Sequence, residues 1–159
     1  VSKAATKISL AEATKIAKAL AKALKPHTTR IEFTGSLRRK AAKVGDLDVV
    51  VLSDKPACDV LEAAGAELYE RGTKRAGGTF QGLQVNLWRS TPESWGSSLF
   101  RTTGPKGYVI GYCTRARKMG LKLCDEGVFR GDERIAGETE EDVYEALDKP
   151  YKAPEARGR

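Results

Sequence analysis

The sequence contains one histidine, His27, among 159 residues. That excludes a His-based zinc cluster and leaves no obvious imidazole general base. Three cysteines, Cys58, Cys113 and Cys124, are too few and too scattered for a disulfide framework, and they form no C-x-x-C pair. A reducing environment is the expectation. A metal in such a chain would be held by oxygen, which points to Mg2+ or Mn2+. No apolar run approaches the ~20 residues of a membrane span. No charged-then-apolar leader is read at the start, so the expectation is a chain that is not secreted and has no membrane partner.

What is abundant is positive charge. Lys and Arg number 28 against 21 Asp and Glu, a formal net charge of +7. Such a surface attracts polyanions, nucleic acid first among them, although charge alone also serves solubility. The charges are spread along the chain and do not form a basic tail. The length fits one domain or two small lobes.

The pattern predicts a mixed α+β chain. Residues 9–25 read as a helix, with Ser9 and Glu12 as a capping box and Pro26 as the stop. A strand at 30–34 leads into a tight segment, Gly35-Ser36-Leu37-Arg38-Arg39. The next strand, 47–52, is almost continuously apolar, which suits a central position. Residues 55–64 read as a short helix. Strands at 67–74 and 83–89 follow, joined by a Gly77-Gly78 loop. Leu83, Val85 and Leu87 point one way, and Gln84, Asn86 and Trp88 the other. Beyond Thr91, a strand at 97–101 and a polar turn at 102–105 precede a helix at 106–119 that Gly120 closes. Short strands at 121–124, 127–130 and 133–135 and a last helix at 140–147, capped by Thr139, complete the reading. Residues 156–159 are expected to fray. The division is an N-terminal sheet lobe, 1–90, and a smaller C-terminal lobe, 91–159.

The chemistry concentrates where Gly45-Asp46-Leu47-Asp48 follows the Gly35-Ser36 segment. A period of two puts Asp46 and Asp48 on one strand face and Leu47 on the other. Adjacent carboxylates repel, and they persist most naturally around a divalent cation. Glycine lets backbone approach an anion closely, and the Ser36 hydroxyl donates a hydrogen bond. Arg38 and Arg39 add guanidinium for phosphate oxygens. A D-x-D or a Gly-Ser pair alone is only a strand start or a turn. Together at this spacing they describe a site for a metal-bound nucleoside triphosphate.

These residues, Gly35-Ser36-Leu37-Arg38-Arg39 and Gly45-Asp46-Leu47-Asp48-Val49-Val50, resemble the signature of the family X DNA polymerases within the nucleotidyltransferase superfamily. The resemblance continues through 82–87, Pro92-Glu93-Ser94-Trp95-Gly96, Thr103-Gly104, 120–123, 126–129 and 150–155. It implies a nucleotidyltransferase-type palm sheet flanked by helices, followed by a smaller subdomain that contacts nucleotide and template. It implies addition of a nucleoside monophosphate from a dNTP to a DNA 3′-hydroxyl with release of pyrophosphate, in gap filling or end repair. Two Mg2+ ions, replaceable by Mn2+, would sit on the residues matching Asp46 and Asp48. Gly35, Ser36, Arg38, Arg39 and Gly45 would hold the triphosphate, with Arg101, Thr102, Thr103, Gly104 and Lys106 further along. Primer-template or gapped DNA would be the macromolecular partner, met by a monomer in the cytoplasm or wherever cellular or viral DNA is handled. Lys74, Arg75, Arg115, Arg117, Lys118 and Lys122 are candidates for DNA phosphates; a plain hairpin and a cation-rich helix end are the other readings of these residues. Another nucleotidyltransferase, acting on RNA, protein or a small molecule, and a non-catalytic nucleotide or DNA binder are the alternatives.

The chain departs from the family pattern in three places. Asn86 stands where the family places a third metal-binding aspartate, so activity is expected to be impaired. An introduced substitution, a naturally weakened enzyme and a shifted strand alignment all fit. The N-terminal lyase and helix-hairpin-helix segments of relatives are not matched, which leaves more of the DNA binding to the basic surface. Arg101-Thr102 replace the aromatic pair that usually precedes Thr-Gly at the sugar. Ribonucleotides should therefore be rejected less strictly than is usual for the family. The ratio of kcat/KM for a deoxynucleotide over its ribonucleotide checks this, and a strong preference for the deoxynucleotide would contradict it.

Overall fold

The computed structural model describes residues 6–158. The chain divides into two compact units, Val1–Arg89 and Ser90–Arg159.

In the first unit a two-residue strand β1 (Ile8–Ser9) leads into helix α1 (Leu10–Leu24). The Ser9 side chain accepts a hydrogen bond from the Glu12 backbone N–H at 3.2 Å and caps the helix. Ala13, Ala17, Leu20 and Leu24 form its buried stripe. The chain continues through β2 (Arg30–Thr34), α2 (Gly35–Arg38), β3 (Lys43–Val44), β4 (Asp46–Leu52), α3 (Ala57–Ala63), β5 (Glu67–Arg71), β6 (Arg75–Phe80) and β7 (Leu83–Arg89). A five-stranded sheet has the order β2-β4-β7-β6-β5. β4 and β7 run parallel, and the other neighbours are antiparallel. Leu47, Val49 and Val51 of β4 and Leu83, Val85 and Leu87 of β7 join the α1 stripe and Val60 and Leu61 of α3 in one core. The opposite face of the same two strands carries Asp46, Asp48, Gln84 and Asn86.

One sequence expectation is corrected in this unit. Gly77-Gly78 is not a loop but the middle of β6, and the preceding strand ends at Arg71, so the turn falls at 72–74. A Cβ on Gly78 would lie 2.6 Å from the Glu67 carbonyl oxygen. These glycines permit close strand approach, which glycine inside a strand often marks. The tight segment 35–39 takes the form of a single helical turn, Gly35–Arg38.

The second unit holds α4 (Trp95–Thr103), α5 (Lys106–Lys118), β8 (Lys122–Cys124), β9 (Gly127–Arg130), β10 (Glu133–Ala136) and α6 (Glu140–Ala146). Its three strands form an antiparallel sheet in the order β10-β9-β8. The strand expected at 97–101 is therefore helix, as are Thr102 and Thr103. Trp95, Leu99 and Thr103 recur at helical spacing and are all buried. Ser94, just before the helix, and Ser97 and Ser98 within it are buried, and their hydroxyls find carbonyls. Ser94 donates to Glu126 at 3.0 Å, Ser97 to Cys124 at 2.5 Å and Ser98 to Asp125 at 3.3 Å. Thr139 and Asp142 close a full capping box on α6. The mixed α+β class agrees with expectation.

The chain end is also corrected. Arg157 does not fray; it is 2% exposed. Its Nη1 donates to Glu140 Oε2 at 2.8 Å and its Nε to the Lys152 carbonyl at 2.9 Å. The guanidinium lies 5.4–5.7 Å from the ring centroids of Phe100, Tyr144 and Tyr151. Arg159, also expected to fray, lies outside the described residues. Removing one partner of such a pair leaves a buried charge without compensation. Arg157→Ala should destabilise the second unit by about 3–5 kcal/mol in urea unfolding. A loss within the ~0.5 kcal/mol range of surface substitutions would contradict the buried pairing.

Candidate functional site

The site of the first unit starts from strand registry. Parallel pairing of β4 with β7 sets Asp46 opposite Gln84 and Asp48 opposite Asn86. Leu47, on the other face, is 0% exposed and pins the alternation that keeps both carboxylates on the open face. Asn86 donates its amide N–H groups to both acids, Nδ2 to Asp46 Oδ2 at 3.2 Å and to Asp48 Oδ1 at 3.0 Å. The Asn86 side chain thus sits between the two carboxylates.

Asp48 carries the electrostatic load. Burial first, and the neighbouring Asp46 charge second, raise its pKa to about 6. The Asn86 hydrogen bond and the charges of Arg39 and Arg75 pull it back down. The Arg39 guanidinium is lowered by its own burial and raised by Asp48. Both arginines therefore stand within electrostatic reach of the acidic pair.

Gly35 flanks Asp48 on the β2 side. It has a φ of +60°, and a Cβ there would overlap the Asp48 carboxylate. Only glycine combines that backbone conformation with that approach. Ser36 and Arg38 follow in α2, both half-buried, and Gly45 immediately precedes Asp46. Thr34, opposite Asp48 in the β2–β4 register, is 0% exposed. Its Oγ1 is buried without a hydrogen-bond partner. Sequence reasoning missed Thr34, and its position directly before Gly35 was the available signal.

This donor set fits a hard divalent cation. It offers two carboxylates on one face, together with an orphaned hydroxyl in register with Asp48. It falls short of a full cluster: among the described residues no group of three or more His, Cys, Asp or Glu is placed to hold a metal. Asn86, between the two acids, contributes an uncharged amide.

The remaining sequence candidates fall elsewhere. Lys74 and Arg75 are exposed at the β5–β6 turn and the start of β6. Arg101, Thr102, Thr103, Gly104 and Lys106 belong to the second unit. There Arg101 is tied to Asp125 at 2.8 Å and to the Cys113 sulfur at 3.2 Å. Thr102 donates back to the Ser98 carbonyl at 2.7 Å, Thr103 is 0% exposed and Gly104 is buried. Lys106 is exposed at the start of α5. Arg115 donates to the carbonyls of Leu147 and Asp148, at 2.6 and 3.3 Å, and closes the end of α6. Arg117, Lys118 and Lys122 are exposed.

Residues 98–158 match the family model described as DNA polymerase beta thumb. No curated protein matches the chain. The C-terminal region is therefore polymerase-thumb-like, and the match begins within α4 and includes Arg157. Among the described residues no helix is long and apolar enough to cross a membrane.

The raised Asp48 pKa has a consequence for stability. Between the ordinary 3.8 and about 6 the folded chain binds more protons than the unfolded one. Stability contributed by this group therefore falls as pH rises through that window, and the penalty is complete above it. It amounts to about 3 kcal/mol at most. In metal-free buffer, Asp48→Asn should raise Tm at pH 7, with the gain shrinking towards pH 4. A gain independent of pH would contradict the assignment.

Proposed function

We propose that the chain is a nucleotidyltransferase of the family X DNA polymerase type. In this reading it adds a nucleoside monophosphate from a dNTP to a DNA 3′-hydroxyl and releases pyrophosphate. The observation that carries the reading is the Asp46–Asp48–Asn86 constellation beside the Gly35-Ser36 turn, in a chain whose residues 98–158 match a polymerase thumb. Fold-level likeness alone would not license a function; the chemistry of the site does.

Asp46 and Asp48 are the residues that would hold divalent metal. Bound Mg2+ would lower the pKa of an attacking hydroxyl and neutralise charge on the phosphates. In this reading Gly35 lets Asp48 approach the backbone of the turn, and the Ser36 hydroxyl and the Arg39 guanidinium would orient phosphate oxygens. Arg39 already balances Asp48 and would do the same for the departing pyrophosphate. Asn86 is the weak point. Turned over, its amide oxygen would face the metal position, but it brings no charge and cannot accept the proton of the attacking hydroxyl. The thumb-like unit and the net charge of +7 support DNA as the partner.

One observation favours a second reading. The uncharged Asn86 amide donates to both carboxylates and brings no negative charge of its own, which suits a nucleotide or DNA binder that does not turn over. Primer extension decides between them. The Asn86→Asp chain, given gapped DNA, single-stranded DNA or RNA primers with Mg2+ or Mn2+, should extend a DNA primer at least ~100-fold faster than the present chain, the scale of a restored general base. Equal rates would remove the polymerase assignment, and no extension by either chain would leave the binder.

A further inference from the structure

A row of residues crosses the open face of the five-stranded sheet. Thr34 pairs with Asp48, Asp48 with Asn86, and Asn86 with Gly77. The next strand, β5, is the edge of the sheet. Its Tyr69 does not point away into solvent. A Cβ on Gly77 would come within 2.8 Å of Tyr69 Cε1, so the ring leans inward and covers the glycine. Tyr69 is nonetheless 53% exposed, and Gly77 beneath it is buried. The phenol also feels the Asp46 charge, which, after burial, raises its pKa. An exposed aromatic ring thus lies over Gly77, the register partner of Asn86.

The two flanks of the acidic pair are chemically different. On the β2 side stand Gly35 and Ser36. On the β6 side stand Gly77 and the Tyr69 ring, with Arg75 two residues along the same face of β6. Arg75 lies 5.3 Å from the Trp88 ring centroid and 3.9 Å from Glu70. Phosphoryl transfer places the attacking and leaving oxygens roughly in line. If pyrophosphate departs towards Gly35 and Ser36, the attacking hydroxyl enters from the opposite flank, over Asn86 and Gly77.

We infer that Tyr69 binds the acceptor strand, its ring stacking on the terminal nucleoside that carries the attacking 3′-hydroxyl, with Arg75 beside it for the adjoining phosphate. This rests on the nucleotidyltransferase reading above. Glycine at position 77 has a reason in this arrangement: any side chain there would displace the ring. Stacking of a base on an aromatic side chain is sequence-tolerant, so Tyr69 would hold any terminal base and leave selection to pairing or to the triphosphate pocket.

The test uses the full chain and a fluorescein-labelled primer-template at low salt, with the primer's 3′-terminal nucleoside either intact or abasic. Fluorescence anisotropy should show Tyr69→Ala weakening binding of the intact end about 10-fold and of the abasic end hardly at all. Tyr69→Phe should bind like the parent. In the Asn86→Asp background, Tyr69→Ala should raise KM for primer and leave KM for the triphosphate unchanged. Equal losses on intact and abasic ends would make Tyr69 a packing residue and overturn the inference, as would binding indistinguishable from the parent. Extension by Asn86→Asp without any Tyr69 dependence sinks this inference alone. Absence of both extension and oligonucleotide binding sinks it together with the function it rests on.

Discussion

Two carboxylates held side by side against their mutual repulsion are the constraint around which the first unit is organised. Parallel pairing of β4 with β7 fixes them, and the buried Leu47, Val49 and Val51 prevent the strand from turning over. The neighbours of Asp48 are those that such a charge requires: an amide donating hydrogen bonds, two guanidinium groups within reach, and a glycine where any other residue would collide. Even so its pKa stands at about 6, well above the ordinary value. Local stability is given up to keep negative charge on that face, a trade that functional sites make and packing alone does not reward.

The second unit solves a different problem with little apolar material. It buries serines and threonines, and each buried serine donates its hydroxyl to a backbone carbonyl of the segment 124–126. The aromatic cluster of Phe100, Tyr108, Tyr112 and Tyr144 fills the centre, with Phe100 and Tyr144 meeting edge to face at 5.3 Å. The hydroxyls of Tyr108 and Tyr144 meet at 2.8 Å. Burial keeps the phenols protonated, pushing Tyr108 and Tyr112 up to about 12.

Legibility in the sequence followed the range of the interactions. The placement of Asp46, Asp48 and Asn86 on one face could be read because strand alternation is local and the apolar partners Leu47, Val85 and Leu87 declare it. The cap on α1 could be read because Ser9 and Glu12 are neighbours. The helix at 95–103 could not, since its serines are buried only by virtue of carbonyls some 27 to 32 positions away. Gly77-Gly78 suggested a loop because glycine's commonest use is a turn, whereas here it admits a neighbouring strand and an aromatic ring. Thr34 could have been noticed only by its adjacency to Gly35, and Tyr69 gave no signal by itself; each matters through its partner across the sheet. Arg157 was misjudged because nothing nearby in sequence reveals that Glu140 awaits it.

That last contact orders events during synthesis. The strands and helices of the first unit are all present once residue 89 has been made. The aromatic centre of the second unit encloses a guanidinium that arrives only at residue 157. Until then the Arg157 guanidinium is missing from the Glu140 carboxylate. Vectorial translation therefore favours an early-folding first unit and a late-folding second one, with a single cation as the final piece.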